Sequence, residues 1–171
     1  TDLLGQVLGE DPDDERARGL LEELLGVAEV QLQAAALLEP VYVRRRDHAG
    51  RIRVLSVRRE HAEQQGSLDQ AITQLVEIAR VREHDLADAG GAFATLREAY
   101  AMDVRRADTR AEVERLGLSL SRPLELVETW RQALAQAGGD RALKIDLTRR
   151  LAELADGKLH DAEAARAAWS D

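Results

Sequence analysis

Residues 66–92 read GSLDQAITQLVEIARVREHDLADAGGA, and residues 139–165 read GDRALKIDLTRRLAELADGKLHDAEAA. Set 73 places apart, the two stretches share a turn glycine, Gly66 with Gly139, and a run of apolar positions: Ile72 with Ile145, Ile78 with Leu151, Ala79 with Ala152, Leu86 with Leu159. They also share an aspartate followed by alanines, Asp88, Ala89 and Ala92 against Asp161, Ala162 and Ala165. The apolar spacing is that of helices, and strand alternation is almost absent. A fixed period of this size marks stacked supersecondary units, here two helix pairs of about 36 residues each.

The same pattern extends outward. Upstream, a helix is expected over 2–8, stopped by Gly9. A second follows, with Asp11 as N-cap, Pro12 in its first turn and Ala17, Leu20, Leu21, Leu24 and Leu25 on one side. A helix over 30–46 contains Pro40, which should kink or break it, and another spans 49–64. Ser67-Leu68-Asp69-Gln70 has the spacing of a capping box. Asp88 caps a helix carrying Ala92, Phe93, Leu96 and Ala99. Downstream, helices are expected over 107–116, from Ser121 and Pro123 to the Gly138-Gly139 stop, over 141–155, and after Asp161 with Ala162, Ala165 and Trp169. This predicts an all-α chain of about ten helices, an α-solenoid of stacked antiparallel helix pairs. Nothing marks a linker, so 1–171 reads as one helical-repeat segment, with 20–36 an irregular stretch that fits no full unit.

Composition agrees. Aromatics are only 3% of the chain, and Ala and Leu dominate the 44% that is hydrophobic. Both favour helix, and Ala lets helix backbones approach closely. The net charge of −8 argues against a nucleic-acid binder, which is usually basic. There is no cysteine, so disulfides, thiolate metal sites and Cys nucleophiles are excluded within the chain. No stretch of 18 apolar residues exists to insert in a membrane, and no signal peptide is visible. A cytoplasmic location is expected, with a periplasmic one open. The 22 Arg against 2 Lys suggest a GC-rich bacterial genome.

Within helix pairs, the chain resembles the tetratricopeptide repeat family. Leu38 and Tyr42 sit four apart before the Arg46-Asp47 turn. Ala92, Leu96, Ala99 and Met102-Asp103 follow the family's second-helix pattern, Leu8 to Asp11-Pro12 its end, and Ala165 with Trp169 its start. Each copy is degenerate: Arg46 stands in place of the turn glycine and Val104 in place of proline, and the first helices of the Ile72 and Ile145 units are longer. The resemblance implies a binding groove lined by first helices. The function it implies is a protein-interaction scaffold binding a peptide or protein. A structural spacer or regulatory arm of a larger multidomain protein is the alternative. Both ends read as stopping within a repeat, which predicts a segment of a longer array and offers repeat ends for self-association.

Chemistry is sparse in the sequence. His48, His61, His84 and His160 sit at turns or near helix ends without a dense ligand pattern, so no metal and no cofactor is expected. Ser56, Ser67, Ser119, Ser121 and Ser170 lack a nucleophile elbow, and the glycine pairs Gly90-Gly91 and Gly138-Gly139 have no phosphate-loop context. No catalytic residues and no enzyme activity are expected. The distinctive local feature is basic: Arg44, Arg45, Arg46, Arg51, Arg53, Arg58 and Arg59 against only Asp47. Arg44, Arg45 and Arg51 are the candidate partner contacts, since guanidinium groups make forked bonds to carboxylate or phosphate. The competing reading is a charged surface neutralised by the acids at 10–15 or by neighbouring repeats. Nucleic-acid backbone binding through 44–59 is weaker still, because no aromatics interleave with the arginines. Trp130 and Trp169 lie on apolar stripes, which predicts core packing.

Overall fold

The computed structural model describes the backbone of residues 1–168 and the side chains of 1–156. Trp169, and the side chains of His160, Asp161, Ala162 and Ala165, lie outside the described residues. Among those described, nine α-helices follow one another: α1 (Asp2–Glu10), α2 (Glu15–Leu24), α3 (Gln31–Arg45), α4 (His48–Gln64), α5 (Leu68–Arg80), α6 (Ala89–Met102), α7 (Ala107–Ser119), α8 (Pro123–Gln136) and α9 (Arg141–Ala168). A π-helical turn, Val81–Asp85, extends α5. No strand is present among the described residues. The chain divides into two compact units, residues 1–99 and 100–171.

In the first unit each helix packs on its neighbours in sequence. One core gathers Leu8, Leu21, Ala34, Ala35, Leu38, Tyr42 and Val54 from α1 to α4. A second joins Leu55 of α4 to Ile78 of α5 and Val81 of the π turn, with Ile52 against it. Helices also reach their second neighbours: α1 approaches α3 where Gly5 faces Leu37, and α4 reaches α6 through the Arg59–Glu98 pair. In the second unit α8 packs on α7 and α9 around Val113, Leu116, Leu126, Trp130 and Leu147. Trp130 is fully buried, its ring edge-on to Tyr100 at 5.6 Å, as its apolar stripe predicts.

Small residues set the closest approaches. A Cβ added at Gly50 would lie 2.6 Å from the Tyr42 ring, so α3 and α4 meet at a distance only glycine permits. The α3–α4 turn uses Arg46 in the left-handed region (φ 54°), a conformation that glycine adopts at least cost. Asp47 then caps α4 by accepting from the Gly50 N–H at 2.8 Å.

Several expectations change. Gly9 does not stop α1, which runs to Glu10. Asp14, not Asp11, caps α2, accepting from the Ala17 N–H at 2.7 Å, while Asp11 accepts from Asp13 in the turn. Pro40 sits inside an unbroken α3: burial of Leu38, Val41 and Tyr42 around it offsets the lost backbone bond. Ser67 is at the N-cap of α5 but its side chain makes no cap bond, and Ser121 adopts a left-handed turn before an α8 capped at Arg122. Asp88 does cap α6, accepting from the Gly91 N–H at 2.8 Å. The irregular 20–36 stretch is a helix end, a turn at 25–30 and a helix start. The break expected near 156–160 is missing, and α9 continues through Ala168, which leaves nine helices where about ten were expected.

The period also acquires a fine structure. α4 and α8 end 72 residues apart, at Gln64 and Gln136, and the left-handed turn glycines are Gly66 and Gly138, again 72 apart. α5 and α9 start 73 apart, at Leu68 and Arg141. The α8–α9 turn therefore holds one extra residue, and equivalent positions are offset by 72 before it and 73 after it.

Two glycine substitutions separate close approach from intrinsic propensity. Gly50→Ala is expected to cost about 1–3 kcal/mol in urea unfolding, because the Tyr42 ring must shift. Gly19→Ala, with no atom near its added Cβ, is expected to stabilise by up to about 1 kcal/mol.

Candidate functional site

The seven arginines from Arg44 to Arg59 do not act as one surface. Arg45 reaches α2, 3.3 Å from Glu15 and 3.6 Å from Asp13. Arg51 lies between Glu77 (3.9 Å) and Asp85 (3.7 Å). Arg58 pairs with Glu39 and Arg59 with Glu98, both at 2.6 Å. Two of the three arginines singled out from sequence, Arg45 and Arg51, are thus engaged within the chain, the first by the acids at 13–15. Arg44, exposed at the end of α3, has no carboxylate partner among the described residues, and neither do Arg46 and Arg53. These three flank the tight α3–α4 turn. Arg46 takes a left-handed cap conformation and is exposed.

Beneath that turn Tyr42 is buried and donates a hydrogen bond to Glu22 at 2.9 Å. Burial, then the hydrogen bond and charge of Glu22, push its pKa far above the ordinary 10.0, against the opposing charge of Arg53. The neutral phenol is therefore a folded-state asset that is intact below pH 10 and is lost as pH rises toward the shifted value.

The second unit carries an ionic cluster between α7 and α9. Asp146 receives Arg150 at 3.0 Å and lies 3.3 Å from Arg110, and Arg150 also bonds Glu114. Burial alone would raise the Asp146 pKa, but the Arg150 hydrogen bond and the charges of Arg150 and Arg110 hold it below 3.8. Burial likewise works against the charge of Arg150, and its bonds to Asp146 and Glu114 outweigh that and raise its pKa. The cluster clamps α7 to α9.

Histidines are dispersed. His48, at the start of α4, lies 3.4 Å from Asp85, and His84 is mostly exposed beside Glu83. Among the described residues no three His, Asp or Glu side chains converge on a point where a metal could sit. No helix among them is long and apolar enough to cross a membrane.

An open, largely apolar groove of about 330 Å³ lies between α8 and α9, lined by Leu124, Val127, Arg131, Leu151, Leu154 and Ala155. Leu124 is 71% exposed. Sequence inspection missed the groove, because burial of these positions depends on which helix covers them.

No protein-family model and no curated protein sequence matches the chain.

Two measurements test these electrostatics. Tyr42→Phe is expected to cost about 0.5–1.5 kcal/mol at neutral pH and to remove the extra loss of stability that the wild type shows above pH 10. Asp146→Asn is expected to lower neutral-pH stability by about 1–3 kcal/mol, since two half-buried arginines lose their carboxylate. Because the folded pKa is depressed, the wild type loses this contribution as pH falls below about 4, and the two acid unfolding curves should converge there.

Proposed function

We propose that the chain is a protein-interaction module of stacked helical hairpins, a solenoid of the tetratricopeptide type, that receives an acidic segment of a partner on its α3–α4 turn. The observation that carries this reading is the group Arg44, Arg46 and Arg53, three exposed cations within ten residues with no carboxylate partner among the described residues, in a hairpin whose other arginines are all paired. Pairing them inside the chain would serve stability; leaving them in water keeps forked donors available to a carboxylate. The architecture is supported by helices that pack on first and second neighbours and by the internal repeat.

In a purely structural spacer these cations would be ordinary solvated surface charge, and their exchange for Glu would change no binding. A nucleic-acid backbone could use them, but the −8 net charge opposes it, and the aromatic nearest the turn, Tyr42, is buried and cannot stack on a base.

The test is fluorescence anisotropy with a labelled oligoglutamate peptide. Binding should weaken as salt screens the charges. The triple variant Arg44→Glu, Arg46→Glu, Arg53→Glu should lower affinity by about tenfold or more, and Arg141→Glu in the second unit should not. Unchanged affinity in the triple variant overturns the docking surface, and tighter binding to duplex DNA than to the peptide favours the nucleic-acid reading.

A further inference from the structure

The arginine-rich α3–α4 turn already has an acidic segment beside it, and that segment belongs to the chain itself. Five of the six residues from Glu10 to Glu15 are acidic, and they form the connection between α1 and α2. Two of them reach the end of α3: Arg45 donates to Glu15 at 3.3 Å and lies 3.6 Å from Asp13. Two others serve the connection locally. Asp11 accepts from the Asp13 N–H, and Asp14 caps α2 by accepting from the Ala17 N–H. Arg45, between Arg44 and Arg46 in sequence, is thus the arginine of this turn that the chain's own acids hold.

The contact is loose. The side chains of Asp13 and Glu15 are both 73% exposed, and that of Arg45 is 31% exposed. Glu15 also lies 3.7 Å from Arg18, so it is shared between two cations. A solvated pair of this kind contributes little, because water competes for both ions. A carboxylate brought by another molecule can therefore replace one of the chain's own at Arg45 with little net change. The same acids act beyond their contact. Charges in physiological salt interact over about 8 Å, so Asp13 and Glu15 also weaken the positive potential that Arg44 and Arg46 present on either side of Arg45.

We infer that the α1–α2 turn is an internal competitor for the docking surface, and that Arg45 is a fourth partner contact, freed when Asp13 and Glu15 are displaced. The inference rests on the docking surface proposed above and names its regulation. An incoming acidic segment meets Arg44, Arg46 and Arg53, which no described carboxylate holds, and then exchanges its own carboxylate for Glu15 at Arg45. The competitor sets a threshold of charge. An isolated carboxylate gains no more from Arg45 than Glu15 does, whereas a run of carboxylates engages all four arginines together. The partner this surface selects is therefore an acidic run, of the same chemistry as residues 10–15, and not a single acidic side chain.

The test titrates the labelled oligoglutamate peptide into variants of the full chain at low salt. Asp13→Asn combined with Glu15→Gln leaves the Asp14 cap in place and should tighten binding by about threefold or more. Glu112→Gln combined with Glu153→Gln removes the same charge from the second unit and should leave affinity unchanged. The gain from the first pair should be larger with Arg45 present than in an Arg45→Gln background, and it should fade as salt rises. Both acids are exposed, so the thermal melt should stay close to that of the wild type; Glu15→Gln alone gives a second, milder variant with the same expected direction. Affinity unchanged by the Asp13 and Glu15 substitutions overturns the inference and leaves the docking surface standing. So does an equal gain from the control pair, or a gain indifferent to Arg45. Absence of peptide binding to every one of these proteins overturns the docking surface and the inference together.

Discussion

A pair of antiparallel helices can bury one apolar face against itself, and the groove along the outside of the pair needs a third element. Everything distinctive in this molecule follows from how that need is met. In the first unit the residues along the α4–α5 seam are core, and α6 is tied to α4 by the Arg59–Glu98 bond. In the second unit the equivalent groove stays open, and side chains of the same type become surface. Burial of a leucine or valine contributes about 1.5–3 kcal/mol, and an open groove forgoes that gain.

Charged residues set the details that apolar packing leaves loose. Arginine reaches between helices at Arg45–Glu15, Arg58–Glu39, Arg59–Glu98 and Arg150–Glu114, each joining elements distant in sequence. Such half-exposed pairs contribute little individually, about 0–1 kcal/mol, but they discriminate between alternative slides of one Ala-rich helix on another. With only 3% aromatics, the core has few large shapes to fix its register, and Tyr42 against Gly50, Trp130 against Tyr100 and the buried Phe93 are the exceptions.

Helical class, most helix bounds and the repeat were legible in the sequence, because apolar spacing at 3.6 residues and the Gly66 and Asp88 punctuation are local signals. Caps were less legible: Asp11 and Asp14 carry the same chemistry three residues apart, and only the path of the chain decides between them. Pro40 misled because tertiary burial outweighed a local penalty. Of the candidate contacts, Arg44 could not be told apart from Arg45 and Arg51 along the chain, since the partners that engage the latter two lie on α2, α5 and the π turn. The groove escaped notice for the same reason: Ile78 and Leu151 look alike along the chain and differ only in what covers them.

Solvent access to methyl groups tests the central claim most directly. In methyl-labelled protein exposed to a soluble nitroxide, the resonances of Leu55, Ile78 and Val81 should remain sharp, while those of Leu124, Val127, Leu151 and Leu154 broaden strongly. Equal protection of the two sets would contradict the account, because the second groove would then be filled as the first one is.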